Sequence, residues 1–326
     1  MRHAAVEDIL SMDKRYLWKL KQREIVLGDR TLVMGVLNVT PDSFSDGGAY
    51  ADPDRAFARA VEMEEEGADI IDIGAESTRP GSARISEAEE LRRLIPVLKR
   101  LRGRLGVPIS VDTYKSGVAA KALEHGAEII NDPTGILLDP QLPRMVNKYD
   151  AALIINHMRG TPETWAKLPP LQNLMRSIAI DLEAAIHRAR QGGVDRQHIV
   201  IDPGLGFGKR KEQNAEIIAR LGELGDFDLP ILVGPSRKSF LKRDEEDDTE
   251  FATAAAVTAS VLAGAHIVRI HNVRAMKNVV SVADLIRQHR AEEEPEEARR
   301  KAHPGDGPAD ARRAGSGDKS GYRAER

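Results

Sequence analysis

The sequence predicts an α/β protein built as a single (β/α)8 TIM barrel, and three observations carry that prediction. Short runs rich in Val and Ile alternate with longer stretches that place Leu, Ala and Glu at helical spacing, the pattern of a parallel sheet with crossover helices. Eight such pairs fit into about 250 residues, the size of a (β/α)8 barrel. Polar residues follow every strand at its carboxyl end, and in a barrel those eight ends converge on one mouth. An open doubly wound sheet gives the same alternation but gathers its ligand groups near one switch point.

The first strand spans Thr31–Val39 and carries Asn38 at its end. Ahead of it, Glu24–Leu27 and the turn Gly28-Asp29 read as a hairpin running into Thr31–Val33 and covering the bottom of the barrel. Strand two, Asp69–Ile73, delivers Asp72 and Glu76; strand three, Pro108–Val111, delivers Asp112; strand four, Glu128–Ile130, delivers Asn131 and Asp132. Ala151–Ile155 leads to Asn156-His157, His198–Ile201 to Asp202, Pro230–Val233 to Ser236-Arg237-Lys238, and His266–Ile270 to His271-Asn272. The helices predicted between them are Asp54–Glu66, Ser86–Leu105, Ser116–His125, Pro140–Lys148, Leu171–Gln191, Lys211–Leu224, Phe251–Ala263 and Val273–Gln288. Several end on a glycine stop, as in Glu66-Gly67 and His125-Gly126. Residues 1–23 read as an N-terminal extension, 24–290 as the barrel, and 291–326 as a charged tail too poor in apolar residues to offset its ordering entropy, hence disordered.

Composition narrows the function. A net charge of -3 and a pI near 6.3 give no basic excess that would draw the chain to nucleic acid or an anionic membrane. The segment from Met1 to Leu20 is broken by charges, and no apolar run approaches the roughly 20 residues a membrane span needs. With no cysteine, disulfides, thiolate metal sites and thiol nucleophiles are all excluded, which fits a cytoplasmic setting. A small-molecule partner is expected.

Individually, the strand-end residues have structural alternatives. Asp112 could cap the helix that follows, Asp202-Pro203-Gly204 could be a turn, and His157 reads as a core histidine, which leaves strand five mainly structural. The run Gly204-Leu205-Gly206-Phe207-Gly208-Lys209 matches neither phosphate-loop spacing and is better read as backbone that approaches a ligand closely. No tight His/Asp cluster supports a metal site held by protein alone.

Two segments, Asn38-Val39-Thr40-Pro41-Asp42-Ser43-Phe44-Ser45-Asp46-Gly47-Gly48 and Asp72-Ile73-Gly74-Ala75-Glu76-Ser77-Thr78-Arg79-Pro80-Gly81, closely resemble the signature segments of the dihydropteroate synthase family. Val111-Asp112-Thr113, Ile130-Asn131-Asp132, Asp202 to Lys209, Ser236-Arg237-Lys238-Ser239 and Arg269-Ile270-His271 match in the same order, so the resemblance spans about residues 24 to 290. It implies a homodimeric (β/α)8 enzyme of folate biosynthesis and a sulfonamide target. Such an enzyme joins p-aminobenzoate to 6-hydroxymethyl-7,8-dihydropterin pyrophosphate.

By that resemblance Asp202 takes the aminopyrimidinone edge of the pterin, Asp112 and Asn131 bond the rest of the ring, Lys238 contacts its far side and Phe207 packs nearby. Asn38, Arg79, Arg269 and His271 would handle the pyrophosphate, with Asn38 a ligand of Mg2+ while substrate is present. Thr78, Arg79, Pro80, Phe44 and Ser239 would form the p-aminobenzoate pocket. The loops Pro41–Tyr50 and Ser77–Ser86 suit a lid that keeps a dissociative, cation-like intermediate from water. Pro133, Asn272, Lys242 and the acidic stretch Asp244–Glu250 depart from the usual pattern. A silent pterin-binding paralogue and a folate-dependent corrinoid methyltransferase are the rivals; the latter group lacks the first two signature loops, both intact in this chain.

Overall fold

The computed structural model describes residues 14–40, 52–77 and 81–292. Two short strands open it, β1 (Tyr16–Lys19) and β2 (Glu24–Leu27). Eight parallel strands follow: β3 (Leu32–Asn38), β4 (Ile70–Gly74), β5 (Ile109–Asp112), β6 (Ile129–Asp132), β7 (Ala152–Asn156), β8 (Ile199–Asp202), β9 (Leu232–Val233) and β10 (Ile267–Ile270). They alternate with α1 (Pro53–Glu65), α2 (Glu87–Leu101), α3 (Ser116–Glu124), α4 (Leu142–Lys148), α5 (Leu174–Gln191), α6 (Lys211–Ala219), α7 (Glu246–Leu262) and α8 (Val273–Glu292). The strands lie in the order β8-β7-β6-β5-β4-β3-β10-β9. Ile201 of β8 bridges Ile231 just ahead of β9, and its N–H donates to Pro230 O at 3.0 Å, so the sheet meets itself and closes.

Side chains sort by alternation, because successive residues of a strand point to opposite faces. Val33, Leu37, Ile71, Ile73, Val111, Ile130, Leu153, Ile155, Ile199 and Ile201 belong to the large cluster packed beneath the helices. Leu32, Met34, Ile70, Ile129, Ala152, Ile154, Val200, Leu232 and Ile267 form a second cluster inside the barrel. Continuing the inward register toward the carboxyl ends brings in Asn38, Asp72, Ser110, Asp112, Asn131, Asn156, Asp202, Arg269 and His271. The interior is therefore apolar in its lower layers and polar in its upper ones.

The hairpin does seal the bottom, but its pairing differs from the expectation. β2 pairs antiparallel with β1, Tyr16 opposite Leu27 and Lys19 opposite Glu24, and not with Thr31–Val33, which enters the barrel. Trp18, Leu20 and Leu27 join the inner cluster as a plug, and the Trp18 indole N–H donates to His198 O at 3.1 Å. The turn at Gly28 redirects the chain rather than folding it back.

Two helix starts also differ. α7 begins at Glu246 rather than Phe251: the acidic stretch read as an unusual loop supplies its first turn, Glu246, Asp247 and Asp248, where the positive end of the helix dipole favours carboxylates. α5 begins at Leu174, after Pro169-Pro170 and Asn173, rather than at Leu171. Residues 1–13 and 293–326, including nearly all of the predicted tail, lie outside the described residues. Among the described residues no helix is long and apolar enough to cross a membrane.

Candidate active site

The polar layer is tied together by Arg269. Its Nε donates to Asp72 Oδ2 at 2.6 Å and a terminal nitrogen donates to Asp112 Oδ2 at 2.9 Å, so β10 is joined to β4 and β5 across the interior. Asn131 Nδ2 donates to the same Asp72 oxygen at 3.2 Å. Asp112 does not cap α3; Ser116 N is taken instead by Asp139 Oδ2 at 2.7 Å. The inward carboxylates Asp72 and Asp112 thus bond Arg269, and Lys238, from the loop after β9, adds a second cation near Asp112 and Asp202.

Burial shifts the titration of Asp112, Asp202 and Lys238. It pushes the Asp112 carboxyl up to about 7, opposed by Arg269 and reinforced by Asp72 and Glu90. It raises Asp202 as well, against the Gly204 amide and Lys238. Lys238 is brought down to about 8 by burial and then by Arg269, with Asp202 and Asp112 opposing.

Asp202 serves as turn and site together. Its Oδ1 accepts the Gly204 N–H at 2.7 Å, and Gly204 has φ +71 with a Cβ position 2.0 Å from His157 O, so only glycine fits there. Two residues on, Gly206 has φ +82, and the Lys238 stem lies 3.0 Å from where its Cβ would be. Lys238 Nζ sits 4.3 Å from the centroid of the Phe207 ring, a cation–π contact, and Trp165 meets Phe207 edge-on at 5.4 Å. Beneath this loop Lys209 Nζ donates to Gly204 O at 2.7 Å and His157 O at 3.0 Å; buried among carbonyls, its pKa falls well below the usual lysine range.

Above the layer opens a cavity of about 1050 Å³, whose lining includes Asn38, Asp112, Lys238, Ser239, Arg269 and His271. Asp202 and Asn131, 7% and 6% exposed, lie deeper and are not part of its wall. Ser236 Oγ accepts the His271 N–H at 3.2 Å and lies 2.9 Å from its Nδ1.

The pterin binding enzyme family matches residues 34–271. The chain belongs to this family. The dihydropteroate synthase of Synechocystis is 42% identical over 263 residues, 79% of this chain and 91% of that protein. The dihydropteroate synthase of Clostridium difficile, solved in the presence of pteroic acid, superposes with a TM-score of 0.75 at 42% identity, covering 80% of this chain and 98% of that one. The enzyme of Xanthomonas albilineans, solved with 4-aminobenzoic acid, gives a TM-score of 0.77 at 34% identity, with coverages of 86% and 100%.

For this pterin-binding enzyme, the structure brings Asn38, Asp112, Asn131, Asp202, Phe207, Lys238, Ser239, Arg269 and His271 to one end of the barrel. Phe44, Thr78, Arg79 and Pro80 lie outside the described residues, as does the Pro41–Tyr50 loop. In the described parts of the second signature loop and the residues after it, Gly81 N donates to Pro162 O at 3.3 Å and Ile85 N to Glu76 Oε2 at 3.3 Å.

Two strand-end residues face outward and are structural. Asp132 accepts the Thr134 N–H and hydroxyl at 2.8 and 2.7 Å, and His157 Nε2 lies 3.0 Å from Asp181 on α5, its pKa pushed down to about 4 by burial.

Asp72, which anchors Arg269, was visible as a strand-end residue but carried no assigned role. Trp165 gave no signal in the sequence. Lys115 was likewise unassigned; it lies between Glu76, at 2.5 Å, and buried Glu90.

Proposed function

We infer that this protein is a transferase that joins p-aminobenzoate to 6-hydroxymethyl-7,8-dihydropterin pyrophosphate, the dihydropteroate synthase reaction of folate biosynthesis. The observation that carries this reading is the inward polar layer. Asp112, Lys238, Arg269 and His271 line the mouth and Asn131 and Asp202 lie just beneath it, in a chain 42% identical to an established synthase.

In our reading Asp202 binds the aminopyrimidinone edge of the pterin through charge-assisted bonds, its carboxylate oriented by the Gly204 amide. Asp112 and Asn131 bond the remainder of the ring, and Lys238 its far side. Arg269 and Asp72 hold Asp112 and Asn131 in place beforehand, so little side-chain freedom is lost on binding. Phe207, braced by Trp165, forms an apolar wall beside the ring.

Arg269, His271, Asn38 and Arg79 receive the pyrophosphate as it leaves with the electrons of the C–O bond. The methylene cation that remains is spread into the pterin, next to the Asp112 and Asp202 carboxylates. The aniline nitrogen of p-aminobenzoate, seated by Ser239 with Thr78, Arg79, Pro80 and Phe44, forms the new C–N bond and then gives up a proton.

Mg2+ is part of the proposal. Among the described residues no group of three or more His, Asp and Glu side chains could hold a metal. Asn38 offers one carbonyl oxygen on the cavity wall, which fits an ion that brings phosphate and water ligands with it. When bound, Mg2+ would withdraw charge from the departing phosphate oxygens.

We also propose a homodimer in the cytoplasm. Val282, Leu285 and Ile286 on α8 and Phe251 on α7 are exposed apolar residues suited to a subunit contact; sedimentation of the purified chain as a monomer would refute it. The activity itself is tested with purified protein, both substrates and Mg2+. Pyrophosphate release that depends on p-aminobenzoate is expected, whereas pterin binding without release would mark a silent paralogue.

A further inference from the structure

Strand β7 carries an unanswered polar group. Asn156 is the inward residue at its carboxyl end, one position past Ile155, and pairs in register with Asp202 of β8. It is 3% exposed. Its Nδ2 donates to Pro133 O at 2.7 Å. A carbonyl can only accept, so this bond fixes which way the amide is turned and leaves Oδ1 as the remaining acceptor.

That oxygen is buried and has no hydrogen-bond partner among the described residues. It lies 2.9 Å from the Cβ position of Gly204, the residue whose N–H holds the Asp202 carboxylate. Two acceptors thus stand on neighbouring strands, and neither an amide oxygen nor an ionised carboxylate can donate to the other. A buried acceptor without a donor is unfavourable, so this arrangement is suited to a ligand that presents adjacent N–H groups.

We propose that Asn156 is a further specificity-determining residue of the pterin site. Its Oδ1 accepts one hydrogen of the exocyclic amino group, while Asp202 takes the other together with the neighbouring ring N–H. The proposal rests on the functional reading above and adds β7 to the strands that recognise the ring. It also joins two features of the sequence: Pro133 supplies the carbonyl that turns the Asn156 amide.

The test is a cycle between side chain and ligand. Wild type, Asn156→Leu and Asn156→Met are titrated calorimetrically with 6-hydroxymethylpterin and with its analogue lacking the 2-amino group, after thermal melting has shown which variants fold. Loss of the amide should weaken pterin binding about tenfold and binding of the analogue less than twofold, because the analogue lacks the hydrogen that Oδ1 would accept. Equal losses for both ligands would make Asn156 a packing residue, and no loss for either would mean that its oxygen does not meet the ring; each result overturns the proposal. Failure of wild type to bind 6-hydroxymethylpterin would instead refute the functional reading itself, and the proposal with it.

Discussion

Replacing Arg269 with Met keeps most of the side-chain stem but removes the charge that bridges Asp72 and Asp112. Asp72 is fully buried and its Oδ1 already lacks a partner, so the loss falls on carboxylates with no other cation in bonding contact among the described residues. Removing one partner of a buried pair costs about 3–5 kcal/mol.

Part of that cost depends on pH, and its sign follows from Asp112. Burial holds this carboxyl at about 7 in the folded wild type, above its unfolded value, so the folded state keeps a proton that the unfolded chain gives up. Stability therefore falls as pH rises through that window and levels off above about 7. Without Arg269 the folded pKa of Asp112 rises further and the fall continues. Below pH 7 Asp112 is protonated in both proteins and contributes no difference. Above it the gap widens by up to about 1.4 kcal/mol per pH unit.

Urea denaturation of both proteins at pH 6 and pH 8.5 measures this directly. The deficit of the variant should be greater at pH 8.5 by about 2 kcal/mol. A deficit that is equal at the two pH values, or greater at pH 6, would refute the coupling between Arg269 and a protonated Asp112.

Four other outcomes are expected. The kcat/KM for the pterin substrate should show an acid limb near 7 from Asp112 and an alkaline limb near 8 from Lys238; Lys238→Arg should move the alkaline limb upward, and a flat profile from pH 6 to 9 would contradict both assignments. Asp202→Ala should abolish measurable pterin binding by calorimetry, since each ring donor left unpaired costs roughly 1–3 kcal/mol. Lys115→Met leaves Glu90 buried without its cation and should lower unfolding stability by about 3–5 kcal/mol, with recovery on adding Glu90→Gln; unchanged denaturation curves would show that the triad contributes nothing. Chelation of Mg2+, like Asn38→Ala, should weaken binding of the pterin pyrophosphate but not of the free pterin alcohol, and equal weakening of both would remove Asn38 from the leaving-group side.

The barrel was legible because each strand and helix is marked by its own residues. The strands are short Val/Ile runs and the helices carry stop signals such as Glu66-Gly67. What escaped the sequence was local pairing and facing. Gly28-Asp29 looked like the turn of a hairpin, yet the true hairpin turns at Leu20–Arg23, where Leu20 N donates to Arg23 O at 2.9 Å and no glycine or proline announces the turn.

Facing is decided by a one-residue register, and a slip of one exchanges inside for outside. In Asn156-His157 the histidine drew attention, but the asparagine faces the interior. The partners of Arg269 lie 197 and 157 residues away, so no local pattern could reveal that Asp72 holds it. Trp165 was missed for a related reason: its significance lies in its contact with Phe207 across two loops.

The chain has two tryptophans, and the fold puts them at opposite poles. Trp18 is locked in the bottom plug with its N–H bonded to His198 O, while Trp165 stands at the cavity wall against Phe207. The molecule thus contains two intrinsic optical reporters, one that should respond to loss of the plug and one that should respond to whatever enters the mouth. Substituting Trp18 with Phe would leave an enzyme whose whole indole emission comes from the cavity wall, so that ligand entry could be followed in real time without a label.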